Sequence, residues 1–251
     1  MIRGLYTAAS AMKSLERKAD ITANNLANSD TAGFEKAAAV TESFPEVLLK
    51  RIEAGKSAEE IGSIGSGSQI QQSFRNQSQG HLQQTGNSLD LALQGDGYFV
   101  VEAEDGSSYI RNGNFVLNND SEIVTQNGEA LLDTQGERIQ LIPGEDFSIS
   151  ENGEIRFNNG LQGAQINIVS FAEEAELLQI GNNLYQLEED TGEPQHSDAR
   201  IAQGFLENSN VEIVKEMVNM IKTNRQYESN QKVISSIDQN LDKVINEVGR
   251  A

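Results

Sequence analysis

The residues that come nearest to catalytic or metal-binding spacing are two histidines and three short carboxylate runs. His196 stands between Glu193 and Asp198, where a general base and an orienting acid would be sought, and His81 follows Gly80. A catalytic imidazole needs a fixed partner and a pocket. Both histidines instead lie in Gly-, Gln- and Pro-rich sequence, which reads as solvated loop. The carboxylates cluster at Glu102-Glu104-Asp105, Glu173-Glu174-Glu176 and Glu188-Glu189-Asp190. Such acids hold Ca²⁺ when a loop arrays them at set intervals, but no EF-hand register fits. They read as a solvated acidic face. The run Gly62-Ser63-Ile64-Gly65-Ser66-Gly67-Ser68 has the glycines of a phosphate loop, yet no Lys-Ser/Thr follows and no periodic helix starts there. With no cysteine there is no disulfide framework, thiolate metal site or cysteine nucleophile. The sequence predicts no catalytic residue, no cofactor and no metal, and hence not an enzyme.

The elements around these residues carry the stronger signal. Residues 1–80 hold nine Lys and Arg against nine Asp and Glu, and residues 211–251 hold six of each. Residues 81–210 hold four Arg, no Lys and 23 acids, which is the whole net charge of −19. A body this acidic excludes binding to nucleic acid or to an anionic membrane surface, both of which need basic patches. No run approaches the roughly 20 apolar residues needed to cross a bilayer, so no membrane insertion is expected. The start, Met1-Ile2-Arg3-Gly4-Leu5-Tyr6-Thr7, lacks the apolar stretch and small-residue cleavage site of a Sec-type signal. Export would use a route that reads an uncleaved N-terminus.

Both ends read as long amphipathic helices. Leu5, Ala8, Met12, Leu15, Ala19, Thr22 and Leu26 recur every three or four residues, the spacing of a coiled-coil seam. From Val211 to Val248 one seam runs Met217, Met220, Asn224, Tyr227, Gln231, Ile234, Asp238, Leu241, Ile245 and Val248. A neighbouring stripe runs Val214, Val218, Ile221, Ile237 and Val244. The apolar surface is wider than one seam, which predicts burial against more than one neighbour. Asn224, Gln231 and Asp238 are read as polar breaks that set the register of this helix within a packed inner layer of the assembly. Ser209 or Asn210 is the expected N-cap. The assembly interface is placed on Leu5, Met12, Leu15, Leu26, Met217, Ile221, Ile234, Leu241 and Ile245.

Between these ends, Ser43 to Ile52 reads as a short capped helix with Pro45 in its first turn. A Gly/Ser/Gln-rich arm follows, to Gln84. From Leu89 to Leu206, Asx-Gly turns at Asp96-Gly97, Asp105-Gly106, Asn112-Gly113, Asn127-Gly128, Asn152-Gly153 and Asn159-Gly160 separate strand-like pieces. Among these pieces are Tyr98–Val101, Phe115–Leu117, Glu154–Phe157 and Gln165–Phe171. This is the pattern of an all-β body built from hairpins. The fold class is α+β, with terminal helices paired in a coiled-coil-like layer and the β body inserted between them. The expected domains are 1–34, an assembly helix with a signature turn; 35–84, an extended arm; 85–208, the acidic body; and 209–251, the C-terminal assembly helix.

Four ordered blocks carry a family resemblance. Asn24-Asn25-Leu26-Ala27-Asn28 with Thr31-Ala32-Gly33-Phe34 resembles the N-terminal signature of bacterial flagellar rod and hook proteins. The second block joins Gly80-His81-Leu82 to Thr85-Gly86-Asn87-Ser88-Leu89-Asp90-Leu91 and Gly95-Asp96-Gly97-Tyr98-Phe99. The third is Arg111-Asn112-Gly113-Asn114-Phe115, and the fourth is Ser209-Asn210-Val211 with Arg225-Gln226-Tyr227-Glu228. A single body of about 120 residues is similar to the FlgF/FlgG class, and Phe44-Pro45-Glu46-Val47-Leu48-Leu49 resembles FlhO/FlhP members of Gram-positive bacteria. Two positions depart from the pattern. Glu35 replaces a common basic residue, and Ser121 replaces a usual turn glycine, which puts a positive φ there in doubt.

The resemblance implies a structural rod subunit of the flagellar basal body, exported through the flagellar export apparatus to an extracytoplasmic location. It would polymerise helically, with copies of itself and other axial rod and hook proteins as partners, into the drive shaft beneath the hook. A second reading is a secreted adhesin-like or polysaccharide-binding β module with helical stalks. Carbohydrate platforms present Trp or Tyr faces, and this chain has no Trp and five Tyr.

Overall fold

The computed structural model describes residues 2–43, 47–51, 59–65, 67–103, 106–171, 177–187 and 192–248. The chain forms two compact units. One comprises Met1–Ala27, Ala37–Asn76 and Val211–Ala251; the other comprises Asn28–Lys36 and Gln77–Asn210. The architecture is mixed α+β, with a helix near each end and strands between.

In the first unit, α1 (Ile2–Ala27) is rich in alanine, the best helix former. Four strands follow: β1 (Ala37–Ser43), β2 (Val47–Arg51), β3 (Glu59–Ile64) and β4 (Ser68–Arg75). β1 pairs antiparallel with β4, and β2 with β3. The helix expected over Ser43–Ile52 is thus corrected: residues 47–51 are strand, while Phe44–Glu46 and Ile52 lie outside the described residues. Its apolar run is too short for a helix to stand alone, and pairing with β3 gives its backbone partners.

The long C-terminal helix, Ile213–Lys243, continues into a π turn at Val244–Val248. Its N-cap is Glu212, without a side-chain cap bond, rather than Ser209 or Asn210. The Asn210 amide is engaged elsewhere, as described below. This helix, α2, packs against α1. A Cβ on Gly4 would lie 3.5 Å from Ile237 Cδ1. So little of α2 remains beyond Ile237 that α1 must run back along it, antiparallel.

The less exposed stripe of α2 is Glu216, Met220, Thr223, Asn230, Ile234, Ile237 and Leu241, and Asn224, Gln231 and Asp238 are exposed. These three therefore lie off the α1 contact, on a face of α2 turned toward solvent in the single chain. Two neighbouring heptad readings differ by about 100° of helix rotation, and the sequence populates both. Packing on α1 took a line between them: Met220, Ile234 and Leu241 come from the first seam and Ile237 from the second, while Val214, Val218, Ile221 and Val244 stay exposed. On α1 the spacing is kept: Ala8 and Thr22 are buried, and Leu5, Met12, Leu15, Ala19 and Leu26 are half-buried.

The second unit is built of short strands: β5 (Leu82–Gln84), β6 (Leu91–Gln94), β7 (Tyr98–Ala103), β8 (Gly106–Ile110), β9 (Phe115–Leu117), β10 (Ile123–Thr125), β11 (Ala130–Leu131), β12 (Phe147–Ile149), β13 (Glu154–Phe157), β14 (Gln162–Gln165), β15 (Ile168–Ser170), β16 (Leu177–Gly181), β17 (Leu184–Leu187), β18 (Gln195–His196), β19 (Arg200–Gln203) and β20 (Phe205–Glu207). The main sheet runs β16-β17-β8-β7-β11-β10-β9, with β15 and β18 branching from it. β12, β13 and β14 form a three-stranded sheet; β19 pairs with β6, and β20 with β5.

β7 is the keystone. One edge pairs with β8, and β11 and β15 share the other. Successive strand residues point to opposite faces, and here both faces are buried. Phe99 and Val101 enter the main core with Phe115, Ile123, Leu131 and Ile155. Tyr98 and Val100 enter a second cluster with Tyr109 and Tyr185. Phe99 and Phe115 meet edge to face, with ring centroids 5.3 Å apart. Full burial of one such ring stabilises by about 1.5–3 kcal/mol.

The doubt about Ser121 resolves in favour of the family turn. Ser121 takes φ 62° without being glycine. Asn118 Oδ1 accepts from the amides of Asp120 and Glu122, both at 2.9 Å, and this Asx cage holds the turn. Among the described residues, no helix is long and apolar enough to cross a membrane.

Candidate functional site

The catalytic and metal candidates fall partly at the surface and partly outside the described residues. His81, Glu193, His196 and Asp198 are exposed. Glu104, Asp105, Glu173, Glu174, Glu176 and Glu188–Asp190 lie outside the described residues, and Glu102 forms an exposed ion pair with Arg138 that holds its carboxyl below the usual range. Among the described residues, no three His, Asp or Glu side chains are grouped to hold a metal ion.

The residues of the sequence blocks do converge, around Glu207 at the end of β20. Its backbone pairs with Leu82 of β5, and its carbonyl accepts from Gly33 N at 2.8 Å. Its carboxylate is buried: Oε2 meets Arg111 Nε at 2.8 Å, and Oε1 accepts from Gly80 N at 2.8 Å. Arg111 also donates Nη1 to Gly97 O at 2.6 Å. One acid thus fixes the signature turn, the 80–82 crossing and the start of the Asn112-Gly113 turn. Gly33 is required there. Its φ is +65°, and a Cβ would stand 2.5 Å from the backbone N of Asn112.

Asn210 extends the network, taking Lys36 N on Oδ1 at 2.8 Å and donating Nδ2 to Ser78 O at 2.8 Å. Thr31 N donates to Asn28 O, and Phe34 N to Thr31 O, closing the signature turn; Phe34 is buried. Thr85 N and Gly86 N donate to Gly204 O, Asn87 Nδ2 to Asp90 Oδ1, and Gly204 N returns to Asp90 O. Glu35 is buried and accepts from Tyr98 OH at 2.7 Å. Burial first, then the Glu35 carboxylate, pushes the Tyr98 hydroxyl well above the usual phenol range; the nearby Arg111 charge opposes that shift. In the other unit, Asn25 is buried and grips Ala37 twice, donating Nδ2 to its carbonyl at 2.8 Å and accepting its amide on Oδ1 at 2.9 Å. Asn24 is exposed, Ser209 half-buried and Val211 buried.

Sequence reasoning missed Glu35, Arg111 and Glu207 as a set. The available signal was that Glu35 follows the first block, Arg111 opens the third and Glu207 lies two residues before the fourth, and that two acids and one Arg sit among otherwise apolar or turn residues. The Arg111 guanidinium, both Glu207 oxygens and Tyr98 OH are engaged within the chain. Such an arrangement fixes a conformation.

Of the residues expected at the assembly interface, Leu5, Met12, Leu15, Leu26, Ile234 and Leu241 are half-buried. Met217, Ile221 and Ile245 are 43%, 53% and 68% exposed, and Met217 and Ile221 with Val214 and Val218 leave an apolar stripe of α2 open.

Comparison with known proteins agrees along the chain. Residues 5–34 match the flagella basal body rod protein family. Residues 92–174 match the flagellar hook protein FlgE/F/G D1 domain, and residues 202–247 the C-terminal part of the flagellar basal body rod FlgEFG proteins. The flagellar basal-body rod protein FlgG of Bacillus subtilis is 34% identical, over 98% of this chain and 99% of its own length. The flagellar hook-basal body complex protein FlhO of the same organism is 33% identical over the whole of both chains. FlgF of Caulobacter vibrioides is 34% identical over 94% of each.

Proposed function

This chain belongs to the flagellar basal-body rod protein family, in its FlgF/FlgG class, and from that premise we propose how it assembles and where. It is a structural subunit of the basal-body rod and not an enzyme. In the proposed function it passes unfolded through the flagellar export apparatus and polymerises helically outside the cytoplasm, with copies of itself and with other axial rod and hook proteins. Residues 1–34 and 209–251 act as assembly elements in a coiled-coil-like inner layer, residues 35–84 as an arm, and residues 85–208 as the outward acidic body.

The supporting observation is the open apolar stripe of α2. Val214, Met217, Val218 and Ile221 recur at helical spacing and remain exposed although α2 already packs on α1. A contiguous exposed apolar stripe marks an interaction surface. An outward body follows from electrostatics: burying 23 acids against four Arg would carry a large desolvation cost. The relatives named above carry rod or hook-basal-body names, which leaves the polysaccharide-binding alternative without support.

Deletion of residues 2–27, or of 215–251, tests the assignment. The body should keep its near-ultraviolet tyrosine signal and cooperative melting, while incorporation into basal bodies is lost. Normal incorporation of either truncated chain would refute the assembly role.

A further inference from the structure

The first unit contains a groove of about 200 Å³ lined by Ser10, Lys13, Ser14 and Arg17 of α1 and Ser68, Gln69 and Ile70 of β4. Ser14 donates to Ser68 O at 3.0 Å, which seats β4 against the helix, and Ile70 is buried. Lys13 and Arg17 are exposed and lie one helical turn apart on one face. Neither makes an ion pair or side-chain hydrogen bond among the described residues. Like charges at this spacing repel. Glu16 and Asp20 lie on the adjoining strip of α1 and form no ion pair with them.

The body shows the converse. Each of its four arginines is already held by a glutamate of the same unit: Arg111 by Glu207, Arg138 by Glu102 and Glu122, Arg156 by Glu154 and Arg200 by Glu151. No cation of residues 81–210 is left for the other acids, and the sequence there has no lysine. One chain therefore carries an unmatched basic groove in one unit and an unmatched acidic surface in the other.

We infer that the Lys13/Arg17 groove receives carboxylates from the acidic β body of a second copy of this chain. The two patches differ, so the contact is heterologous. A heterologous contact that does not close propagates as an open helix, the symmetry a rod requires. The inference rests on the rod-subunit reading and adds a specific subunit contact to it.

The test places a photoreactive amino acid at Gln69 in the full chain, expressed in flagellated cells lacking the native copy. Purified basal bodies are irradiated, and cross-linked peptides are read by mass spectrometry. The expected product joins the Gln69 position to a peptide from residues 81–210 of another copy. Lys13→Glu/Arg17→Glu should reduce that product at least tenfold, and Lys13→Arg/Arg17→Lys should retain it. Both side chains are exposed, and unchanged circular dichroism of the charge-reversed chain would show that it folds. Cross-links only to terminal helices or to another axial protein, no cross-link, or a yield insensitive to charge reversal would each overturn the inference. In those cases recovery of the chain in basal bodies leaves the rod reading standing, whereas its absence from them refutes both.

Discussion

Arg111→Met isolates the network around Glu207. The guanidinium and carboxylate meet at 2.8 Å with side chains only 6% and 9% exposed. Methionine keeps most of the side-chain volume but leaves the Glu207 carboxylate buried with only Gly80 N as a partner, and it also leaves Gly97 O without the Arg111 donor. Removing one partner of a buried pair costs about 3–5 kcal/mol. For a unit of this size that lowers Tm by about 10–20 °C. The chain has no Trp, so the assay is near-ultraviolet circular dichroism of the buried Tyr98, Tyr109 and Tyr185 during heating. Adding Glu207→Gln removes the stranded charge and keeps an acceptor for the Gly80 amide. The double variant should recover about 1–3 kcal/mol of the loss, as a coupling in a double-mutant cycle. Hydrogen exchange should accelerate at the Gly33 and Gly80 amides in the single variant. A loss below about 1 kcal/mol, or a double variant no more stable than the single, would refute the reasoning.

Gly33→Ala should destabilise the body by at least about 1–3 kcal/mol, because a left-handed φ and a backbone contact that cannot yield act together; a melting curve checks it, and motility should fall with it. Asn25→Ala strips two hydrogen bonds from Ala37 at a buried site and should cost about 1–3 kcal/mol, read as lost exchange protection of the Ala37 amide. The Tyr98 and Tyr109 hydroxyls are held above their unfolded value, Tyr98 by burial and Glu35 and Tyr109 by burial. Their contribution is full below the unfolded pKa of about 10 and is lost as pH rises above it, since the unfolded chain then sheds protons that the folded chain retains. Body melting should therefore weaken above about pH 10, less steeply in Tyr98→Phe; ordinary phenol ionisation of Tyr98 in the folded protein would contradict this.

Much of this fold is readable from periodicity and turn chemistry. The spacing of Leu5, Met12, Leu15 and Leu26 gives α1, and alternation around Tyr98–Val101 with Asx-Gly turns gives the β body. The short run Val47-Leu48-Leu49 was ambiguous because periodicity does not distinguish helix from strand over so few residues; β3 decided it. The face of α2 was ambiguous because two apolar stripes lie side by side, and the position of α1 covers residues of both, Met220, Ile234 and Leu241 of one and Ile237 of the other. The Arg111–Glu207–Gly33 convergence lay beyond sequence reasoning for a different reason. Its members are separated by up to 174 residues, and a buried charge is indistinguishable from a solvated one until its partner is placed. The motif glycines and asparagines marked where to look; they did not indicate which acid would hold them.

The most direct test of rod membership is the content of purified hook–basal bodies. In the wild type the chain should be present in the rod at a fixed stoichiometry, located by electron cryomicroscopy and mass spectrometry, and a strain deleted for it should lack complete rods and hooks. Complete, functional hook–basal bodies that do not contain this chain would contradict its role as a rod subunit.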